Sequence, residues 1–568
     1  MTNQEIAAIF YEMADLCEIL SIQWTPNAYR KAARFIETLS KPIDEIYNKG
    51  GTKALQELPS IGKNIANKIE EFIKKGKVKE LDELKKKIPK GVDTLLHVPG
   101  LGPKKAWRLY KELNIKNLRD LQRAAESHKI SKLEGFGEKS ETEILQSIDL
   151  VQEGETRKLL IYGLAAAREI EHRLKGIPGV QQVQFAGSVR RRKETIADID
   201  ILVTSKNPKQ VMSYFTTMQD VKKILANGPT KSAVLLNSGM QADVRVVDEK
   251  SFGAALQYFT GSKEHNVRLR QIAINKGLKL NEYGLFKGAT IVAGKTEQDI
   301  YKKLGLPFIE PELRENNGEF EAKQLPNLIN YDDMRGDCHM HTTASDGANT
   351  AEEMVKAAIA KGYEYVAITD HSKSSYIANG LDEKRLHKHH AALDALQKKY
   401  GDITILKGSE VDIKSNGELD YSPAILKDID VVMASVHQRF KMTRDEATKR
   451  YLKAISLGHI TCISHPSGRL IHEREAFEFD IEKVAIAAKE AGVALEINSS
   501  PSRLDLKDTH IKIAKEFGAK FLINTDSHST EHLRFMELGI AQARRGWLEA
   551  KDVLNTLPVK KFLRAIQK

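Results

Sequence analysis

The spacing of apolar residues divides this chain of 568 residues into three regions. To about residue 150 the apolar positions recur with helical periodicity, and almost no segment alternates as a strand does. From 151 to 250 a predicted helix, 157–174, precedes short alternating runs at 183–186, 199–203, 234–236 and 241–247. These runs predict a mixed αβ sheet. Beyond residue 335 short apolar runs alternate with helical segments, which is typical of repeated β/α units.

Three short glycine-containing turns separate helices in the first region. Their sequences are Leu58-Pro59-Ser60-Ile61-Gly62, Val98-Pro99-Gly100-Leu101-Gly102 and Leu133-Glu134-Gly135-Phe136-Gly137. Glycine lets the backbone approach a phosphate, and the N–H groups that open the next helix bind it. One such turn is more often plain helix packing, but three indicate helix-hairpin-helix elements that grip the DNA backbone without reading sequence. The predicted DNA contacts are Gly62, Gly100, Gly102, Lys104, Gly135 and Gly137.

Paired acids on one predicted strand are the main chemical signal of the middle region. Asp198 and Asp200 alternate with isoleucines, so their carboxylates project from the same face. Like charges this close repel, and a divalent cation is the usual remedy. Asp243 lies in another alternating run, and Gly187-Ser188 with three arginines precedes the pair. Together these residues predict a two-metal site for in-line attack on a phosphate.

Each apolar run after residue 335 ends in side chains that can bind a metal. About seven such units are best closed as a barrel, whose active site lies at the carboxyl ends of the strands. Histidine and carboxylate without a cysteine set fit Zn²⁺, Mn²⁺ or Fe in hydrolytic sites. One such histidine would more often be a core residue, but six at equivalent strand ends predict a metal centre. By contrast, His387, His389 and His390 lie in a Lys/Arg-rich helix and are expected to be solvated.

Charge and histidine are distributed unevenly along the chain. Residues 1–330 carry 53 Lys and Arg against 42 Asp and Glu, whereas residues 331–568 carry 35 of each. The first part therefore holds the whole basic excess, as nucleic-acid binding requires. Thirteen of the 17 histidines lie beyond residue 330. Three distant cysteines imply no disulfide framework, and neither a membrane-spanning run nor a signal peptide is evident, so a cytoplasmic protein is expected.

The order of these motifs resembles the X family of DNA polymerases over essentially all of residues 1–315. The resemblance rests on the hairpin glycines, Gly187-Ser188-Val189-Arg190-Arg191, Asp198-Ile199-Asp200, Asp243-Val244-Arg245 and Tyr258-Phe259-Thr260-Gly261-Ser262. It implies a nucleotidyltransferase palm and a thumb, with Asp198, Asp200 and Asp243 as Mg²⁺ ligands. The nucleotide contacts it implies are Ser188, Arg191, Tyr258, Phe259, Gly261, Asn266 and Arg270. Arg192 and Ala197 replace glycines of the family pattern, and Lys263 replaces an acid.

The N-terminal residues also resemble the lyase domain of that family. The resemblance rests on residues 27–33 and on Lys68, which falls at the Schiff-base lysine. It leaves a 5′-deoxyribose phosphate lyase activity open. Asn64 and Thr25 stand where the family has other phosphate-binding residues.

The C-terminal third resembles the polymerase-and-histidinol-phosphatase (PHP) metallophosphoesterases. The matching motifs are H-x-H, S-D-G, T-D-H, S-H-P and T-D-S-H. The resemblance implies a distorted (β/α)₇ barrel holding Mn²⁺ or Zn²⁺, with three ions expected. The implied ligands are His339, His341, Asp346, His371, Glu410, His437, His465, Asp526 and His528. Arg503 either orients a substrate phosphate or is a surface residue.

Both parts together resemble the bacterial family X polymerases fused to a PHP domain. The expected domains are a lyase-like helical domain (1–87), helix-hairpin-helix fingers (88–150), palm (151–250), thumb (251–315), a polar linker (316–334) and the PHP domain (335–568). The resemblance implies a monomer that fills short gaps in base excision repair, with gapped or nicked DNA and dNTPs as partners. It leaves open whether the PHP domain is a 3′–5′ exonuclease, a 3′-phosphatase or an abasic-site endonuclease. The alternative is a non-DNA nucleotidyltransferase fused to a small-molecule phosphoesterase.

Overall fold

The computed structural model describes residues 3–20, 22, 25–37, 43–58, 60–88, 95, 101, 103–133, 136–137, 141, 144 and 157–566. The fold-class prediction is confirmed: helical N-terminal elements precede an αβ palm, a thumb and a seven-stranded parallel barrel. In this part of the chain no helix is both long enough and apolar enough to cross a membrane.

The N-terminal elements form two helical clusters, each with its own apolar core. In the first cluster the helix Lys63–Lys75 buries Ile65, Ala66 and Ile69 on one face. This spacing of one, three and four residues is what an amphipathic helix requires. The helices of the first cluster are Asn3–Ile19, Thr25–Glu37, Ile43–Gln56, Lys63–Lys75 and Lys79–Lys86; those of the second include Pro103–Leu113 and Leu118–Glu126.

The palm is a five-stranded mixed sheet. Its spatial order is Val180–Phe185, Asp198–Ser205, Gln241–Val246, Lys231–Leu236 and Val221–Asn227, with the second and third strands parallel. A short ladder joins Lys158–Leu159 to Thr195–Ile196. The sequence pattern missed the edge strand Val221–Asn227, because its apolar residues do not alternate with polar ones and only one of its faces packs. The palm helices are Leu160–Lys175, Gly187–Arg190 and Pro208–Thr216.

The thumb packs two helices against a three-stranded antiparallel sheet. The helix Phe252–Thr260 ends at Gly261, and Ser262 begins the next by accepting a hydrogen bond from the His265 amide. Gly253 lies so close to the Thr296 backbone that a Cβ there would come within 2.3 Å of it. The remaining elements are Lys263–Asn275, Lys279–Asn281, Gly284–Lys287, Thr290–Ala293 and Glu297–Lys303.

The barrel has seven parallel strands arranged in chain order. They are Gly336–Asp337, Tyr365–Ile368, Thr404–Asp412, Val431–Ser435, Cys462–Ile463, Ala494–Asn498 and Lys520–Asn524. A bridge between Met340 and Ser527 brings the first and last strands together, so the barrel is nearly closed. The main surrounding helices are Ala351–Ala360, Glu383–Lys399, Arg444–Ser456, Ile481–Ala491, Asp508–Glu516, Met536–Arg545 and Val559–Ile566.

Residues 316–334, expected to be a polar linker, are packed rather than extended between domains. Glu319 is buried and accepts hydrogen bonds from the amides of Asn316 and Asn317 while it contacts His265 of the thumb at 2.8 Å. Leu328 is buried in the thumb core, which Trp547 of the barrel also contacts. The polar residues of this segment therefore serve internal contacts, which composition alone does not show.

The palm and barrel also share packing. Leu504 and Leu538 of the barrel are buried in the same apolar cluster as the palm sheet. Arg168 of the palm donates to Glu537 of the barrel at 2.9 Å, and Arg469 of the barrel contacts Glu194 of the palm at 2.8 Å. The palm and the barrel thus have a common boundary.

Candidate active sites

The three palm acids lie on adjacent parallel strands. Asp200 and Asp243 are cross-strand partners, and Asp198 precedes Asp200 on the same strand face. Asp243 is buried and accepts a hydrogen bond from Gln241 at 2.7 Å. Burial and the carboxylates of Asp198 and Asp243 raise the pKa of Asp200 to about 7. Because a divalent cation offsets such repulsion, this donor set fits Mg²⁺.

The Gly187-Ser188 turn lies directly against these acids. Gly187 has φ +60°, and a Cβ there would lie 2.7 Å from Asp200 Oδ2. Only glycine meets both conditions without strain. The Ser188 hydroxyl is buried and has no hydrogen-bond partner in the part of the chain that the structure describes. Since an unpartnered buried hydroxyl is costly, Ser188 fits a ligand oxygen, such as that of a phosphate.

One cavity of about 400 Å³ brings together all seven predicted nucleotide contacts. Its lining also includes Arg157, Gly187 and Lys263, and Asp243 stands on the strand beside it. The cavity is thus open to the palm acids on one side and to the thumb on the other. The predicted residues on its lining are Ser188, Arg191, Asp198, Asp200, Tyr258, Phe259, Gly261, Asn266 and Arg270.

Hydrogen bonds fix the thumb side of this cavity. Asn266 donates to the Tyr258 carbonyl at 2.7 Å and accepts from Gln257 at 2.7 Å. Tyr258 and Phe259 meet edge to face with ring centroids 5.2 Å apart. Sequence patterns did not single out Gln257, because a buried glutamine inside an apolar helix is visible only once its partner is placed.

The three consecutive arginines have different environments. Arg190 is held by the buried Glu297 at 2.6 Å, and Arg191 contacts Glu315 at 3.1 Å while its guanidinium also donates to the Thr260 carbonyl. Arg192 adopts φ +55°, in the left-handed region that favours glycine. The backbone here is therefore one that suits the glycine of the family pattern. Arg191 alone of the three lines the cavity.

The barrel ligands form three overlapping groups at the carboxyl ends of the strands. Within each group the ligand atoms lie within 4.8 Å of one another. His465 is in none of the three groups, but its Nε2 lies 2.9 Å from Glu410 Oε1. The structure therefore collects all nine predicted ligands in one centre. The groups are His341, Asp346, His371 and His528; His339, His341 and Asp526; and His371, Glu410 and His437.

The donor chemistry of this centre fits metal ions. His339 Nε2, His341 Nε2 and His371 Nδ1 are buried without hydrogen-bond partners, although each faces a carboxylate. Burial alone would lower the pKa of His339, but Glu496, Asp526 and Glu410 raise it well above its usual value. Buried imidazole nitrogens crowded by acids are satisfied when a cation lies between them.

Carboxylates behind the ligands orient their rings. Glu496 lies 2.7 Å from His339 Nδ1, and Asp412 lies 2.6 Å from His437 Nδ1. Such contacts leave the opposite ring nitrogen to face a metal. No local sequence pattern reveals these roles, because Glu496 and Asp412 are recognisable only by the strands that they neighbour.

Two of the histidines expected to be solvated are not. His390 is buried and its Nε2 lies 3.2 Å from the Gly408 carbonyl, while His389 Nε2 lies 3.0 Å from Asp370 Oδ2. The helix Glu383–Lys399 buries Leu386, His390 and Leu393, a spacing of four and three residues that marks its inner face. Only His387 is exposed, as predicted.

Lys68 does not line the cavity of the N-terminal helical cluster. Its ammonium is buried, contacts Glu80 at 2.7 Å and donates a hydrogen bond to the side-chain oxygen of Asn64. The nearby cavity is lined by Tyr29, Ser60, Gly62, Lys63 and Asn64 among others, but not by Lys68. An ion-paired ammonium is a poor nucleophile, so a Schiff-base role would require this pair to open.

The described hairpin glycines have the geometry that close backbone approach requires. Gly62 caps the helix Lys63–Lys75. Among the residues that the structure describes, no side chain bonds to the start of this helix, and no atom lies within 4 Å of a Cβ built on Gly62. Gly137 is likewise open. Gly100, Gly102 and Gly135 lie outside the described residues, and Lys104 is in the first turn of the helix Pro103–Leu113.

The protein-family models that match the chain agree with this architecture. An N-terminal helical region, a polymerase-type thumb and a metal-binding PHP domain together define a class of enzymes that act on nucleic acids at two sites. Residues 1–78 match a helix-hairpin-helix domain, and 52–114 and 92–149 match a SAM-like helix-hairpin-helix tandem. Residues 255–315 match the DNA polymerase beta thumb, and 337–500 match the PHP domain.

Known proteins match either nearly the whole chain or one of its two parts. The chain is 39% identical over 542 residues to the DNA polymerase/3′-5′ exonuclease PolX of Bacillus subtilis (strain 168), covering 94% of each protein. It is 25% identical to DNA polymerase lambda of Rattus norvegicus, over 55% of this chain and 56% of that one. A probable phosphatase of Thermoanaerobacter sp. (strain X514) is 32% identical over 39% of this chain and 89% of its own length. The chain therefore belongs to the PolX family of PHP-containing family X DNA polymerases.

Proposed function

We propose that the palm site extends a DNA primer across short gaps during repair. The observation that carries this proposal is the cavity shared by Asp198, Asp200 and the unpartnered Ser188 hydroxyl. Mg²⁺ ions, when bound, stabilise charge on the transferred phosphate. Asp198, Asp200 and Asp243 would hold them, Ser188 and Arg191 the triphosphate, and Tyr258 and Phe259 the sugar, while Asn266 and Arg270 face the nascent pair.

The same proposal assigns a role to each expected domain. Residues 1–87 and 88–150 grip gapped or nicked DNA through the hairpin backbone, independently of sequence. Residues 151–250 and 251–315 form the palm and thumb that receive a dNTP, and 335–568 form the hydrolytic domain. The protein acts as a monomer in the cytoplasm.

The palm assignment is tested by primer extension. Asp198→Ala removes one of the three acids, so extension of a gapped primer should fall at least a hundredfold because charge on the transferred phosphate is left uncompensated. Products are separated by length with and without dNTPs, and DNA binding is measured by anisotropy. Asp220→Ala is the matched control, since Asp220 contacts Arg173 at the palm surface. Undiminished extension by Asp198→Ala would contradict the polymerase assignment and favour transfer to a non-DNA acceptor.

We also propose that the PHP domain shortens DNA from its 3′-end. The three ligand groups would hold three ions, Mn²⁺ or Zn²⁺, since imidazole favours such ions over Mg²⁺. Bound ions supply an activated water and charge compensation. Arg503, which lines the same cavity and lies 3.5 Å from Asp526, would orient the phosphate. The name of the Bacillus subtilis relative includes a 3′-5′ exonuclease activity, which favours this reaction over the phosphatase and endonuclease alternatives.

The PHP assignment is tested by removing two ligands from one strand end. In His339→Ala/His341→Ala, metal content measured by mass spectrometry and shortening of a 3′-end should both be lost. Extension of the gapped primer should persist, because the palm acids are intact. His387→Ala/His472→Ala, which replaces two histidines outside the ligand groups, is the control. Continued shortening by the ligand variant would place the nuclease elsewhere, and release of phosphate alone from a 3′-phosphorylated end would identify a phosphatase.

A further inference from the structure

Two large apolar side chains stand in solvent at the rim of the barrel cavity. This cavity, of about 430 Å³, is lined by the metal-ligand candidates Asp346, His371 and His437, and also by Tyr376 and Ile377. Tyr376 is 86% exposed and Ile377 is fully exposed, the highest exposures among the large apolar residues that the structure describes. Their exposure cannot serve the core, so it needs another explanation.

The loop that carries these residues is fixed at its base. Ser374 and Ser375 donate to Asp412 Oδ2 at 2.5 and 3.0 Å, and the same carboxylate group contacts His437 Nδ1. The Ser374 amide also donates to Asp420 at 2.8 Å. The position of the loop is therefore tied directly to a residue of the metal centre.

The far side of the loop is equally constrained. Arg385 donates to the carbonyls of Asn379 and Gly380, at 3.1 and 3.0 Å, and to that of Ala344 at 2.7 Å. Gly380 packs so tightly that a Cβ there would lie 2.0 Å from the Ser372 carbonyl oxygen. Tyr376 and Ile377 thus project from a short, held turn, Tyr376–Ala378, rather than from a loose segment.

We propose that Tyr376 and Ile377 engage the nucleobases at the DNA 3′-end: Tyr376 stacks on the terminal base, and Ile377 separates it from the base pair behind. This inference rests on the proposed exonuclease function, whose substrate must place its last phosphodiester at the metal ligands. A paired terminal nucleotide has to leave the duplex to reach a recessed centre.

The chemistry of the two side chains suits these two tasks. An aromatic ring stacks on any base, since every base has a π-face, and this contact is independent of sequence. An aliphatic side chain acts as a wedge between base steps and partly unstacks them. Arg503 lines the same cavity and its Nη1 is buried without a partner, so it can hold the phosphate while the base meets the rim.

The experiment compares Tyr376→Ala and Ile377→Ala in the full-length, metal-loaded protein on two DNA substrates. One is a single strand, and the other is a duplex with a fully paired 3′-end. Methyl p-nitrophenyl phosphate shows whether the wild-type metal centre hydrolyses diesters. A single strand that ends in an abasic nucleotide, which has no base to stack, measures that centre in the variants. Tyr214→Ala and Ile486→Ala are matched controls, because both residues are exposed and neither lines the cavity.

Tyr376→Ala should slow shortening of both DNA substrates about tenfold, as loss of one base stack predicts. Ile377→Ala should slow the paired end by a similar factor and the single strand by less than twofold. Both variants should remove the abasic terminal nucleotide at the wild-type rate, because that end has no base for either side chain to contact. Equal DNA rates for variants and wild type would overturn the inference. If the wild-type protein hydrolyses the diester but shortens neither DNA, the exonuclease proposal itself fails.

Discussion

At the scale of single residues, the contact between Gly187 and Asp200 determines the shape of the palm site. The glycine has a positive φ, and its Cα faces the carboxylate so closely that any side chain would displace it. Arg192, five residues later, has a similar backbone conformation, but its guanidinium lies 3.6 Å from the Glu537 carboxylate of the barrel. Positive φ alone is therefore tolerated by a larger residue in this loop, whereas the close approach to Asp200 is not.

A pair of glycine substitutions separates these two effects. Gly187→Ala should abolish extension of a gapped primer, because its Cβ would lie 2.7 Å from Asp200 Oδ2. Gly179→Ala also places alanine at positive φ, +84°, but no atom lies within 4 Å of its Cβ. It should lower stability by about 1 kcal/mol and keep extension near wild type. Thermal unfolding and single-nucleotide extension measure the two quantities, and equal loss of activity in both variants would show that the clash is unimportant.

At the scale of secondary-structure elements, buried Glu297 joins the palm loop to the thumb. Its carboxylate contacts Arg190 at 2.6 Å and Arg314, which is fully buried, at 2.5 Å. Burial alone would raise the pKa of Glu297, but the two guanidinium groups lower it to about 2. Because the folded-state pKa lies below the usual 4.5, this pairing stabilises the fold above pH 4.5 and is lost as the pH falls toward 2.

Glu297→Gln should therefore weaken the thumb. Removing the charge leaves the buried Arg314 without its anion, which should cost about 3 kcal/mol of local stability at pH 7. Hydrogen exchange of the helix Phe252–Thr260 measures this cost, and the difference from wild type should shrink between pH 4.5 and 3. Glu249→Gln is the control, because its pair with Lys295 is exposed and contributes less than about 1 kcal/mol. A pH-independent difference would mean that the effect is steric.

At the scale of the whole molecule, the barrel contacts the proposed nucleotide site directly. Arg545 of the barrel is buried and donates to the Arg191 carbonyl at 2.8 Å and to Glu315 at 3.0 Å. Glu315 in turn contacts the Arg191 side chain, and Asp508 holds the other end of Arg545 at 2.5 Å. Arg191, which is proposed to bind the triphosphate, is thus positioned by Arg545, more than 300 residues further along the chain.

The two sites should therefore bind their metal ions independently, while the shape of the palm site depends on contacts from the barrel. Arg545→Ala should raise the dNTP KM at least tenfold, since Arg191 loses its support, while the barrel keeps its metal ions. Steady-state extension and metal analysis check these outcomes. Arg444→Ala is the control, because Arg444 makes only an exposed contact with Asp480 at 3.4 Å. An unchanged KM in Arg545→Ala would show that the palm loop holds its shape without the barrel.

Local patterns in the sequence determined the fold class and collected the candidate ligands. Strand alternation places Asp198 and Asp200 on one face, and apolar runs ending in His or Asp place the barrel ligands at one rim, because these are consequences of backbone geometry over a few residues. Tertiary structure decided the contacts between distant segments. Four features join residues that no local sequence periodicity relates. They are the contact of Glu496 with His339, the burial of His390, the packing of segment 316–334 and the hydrogen bond from Arg545 to Arg191. Such contacts depend on how elements pack against one another, and only the folded chain brings their partners together.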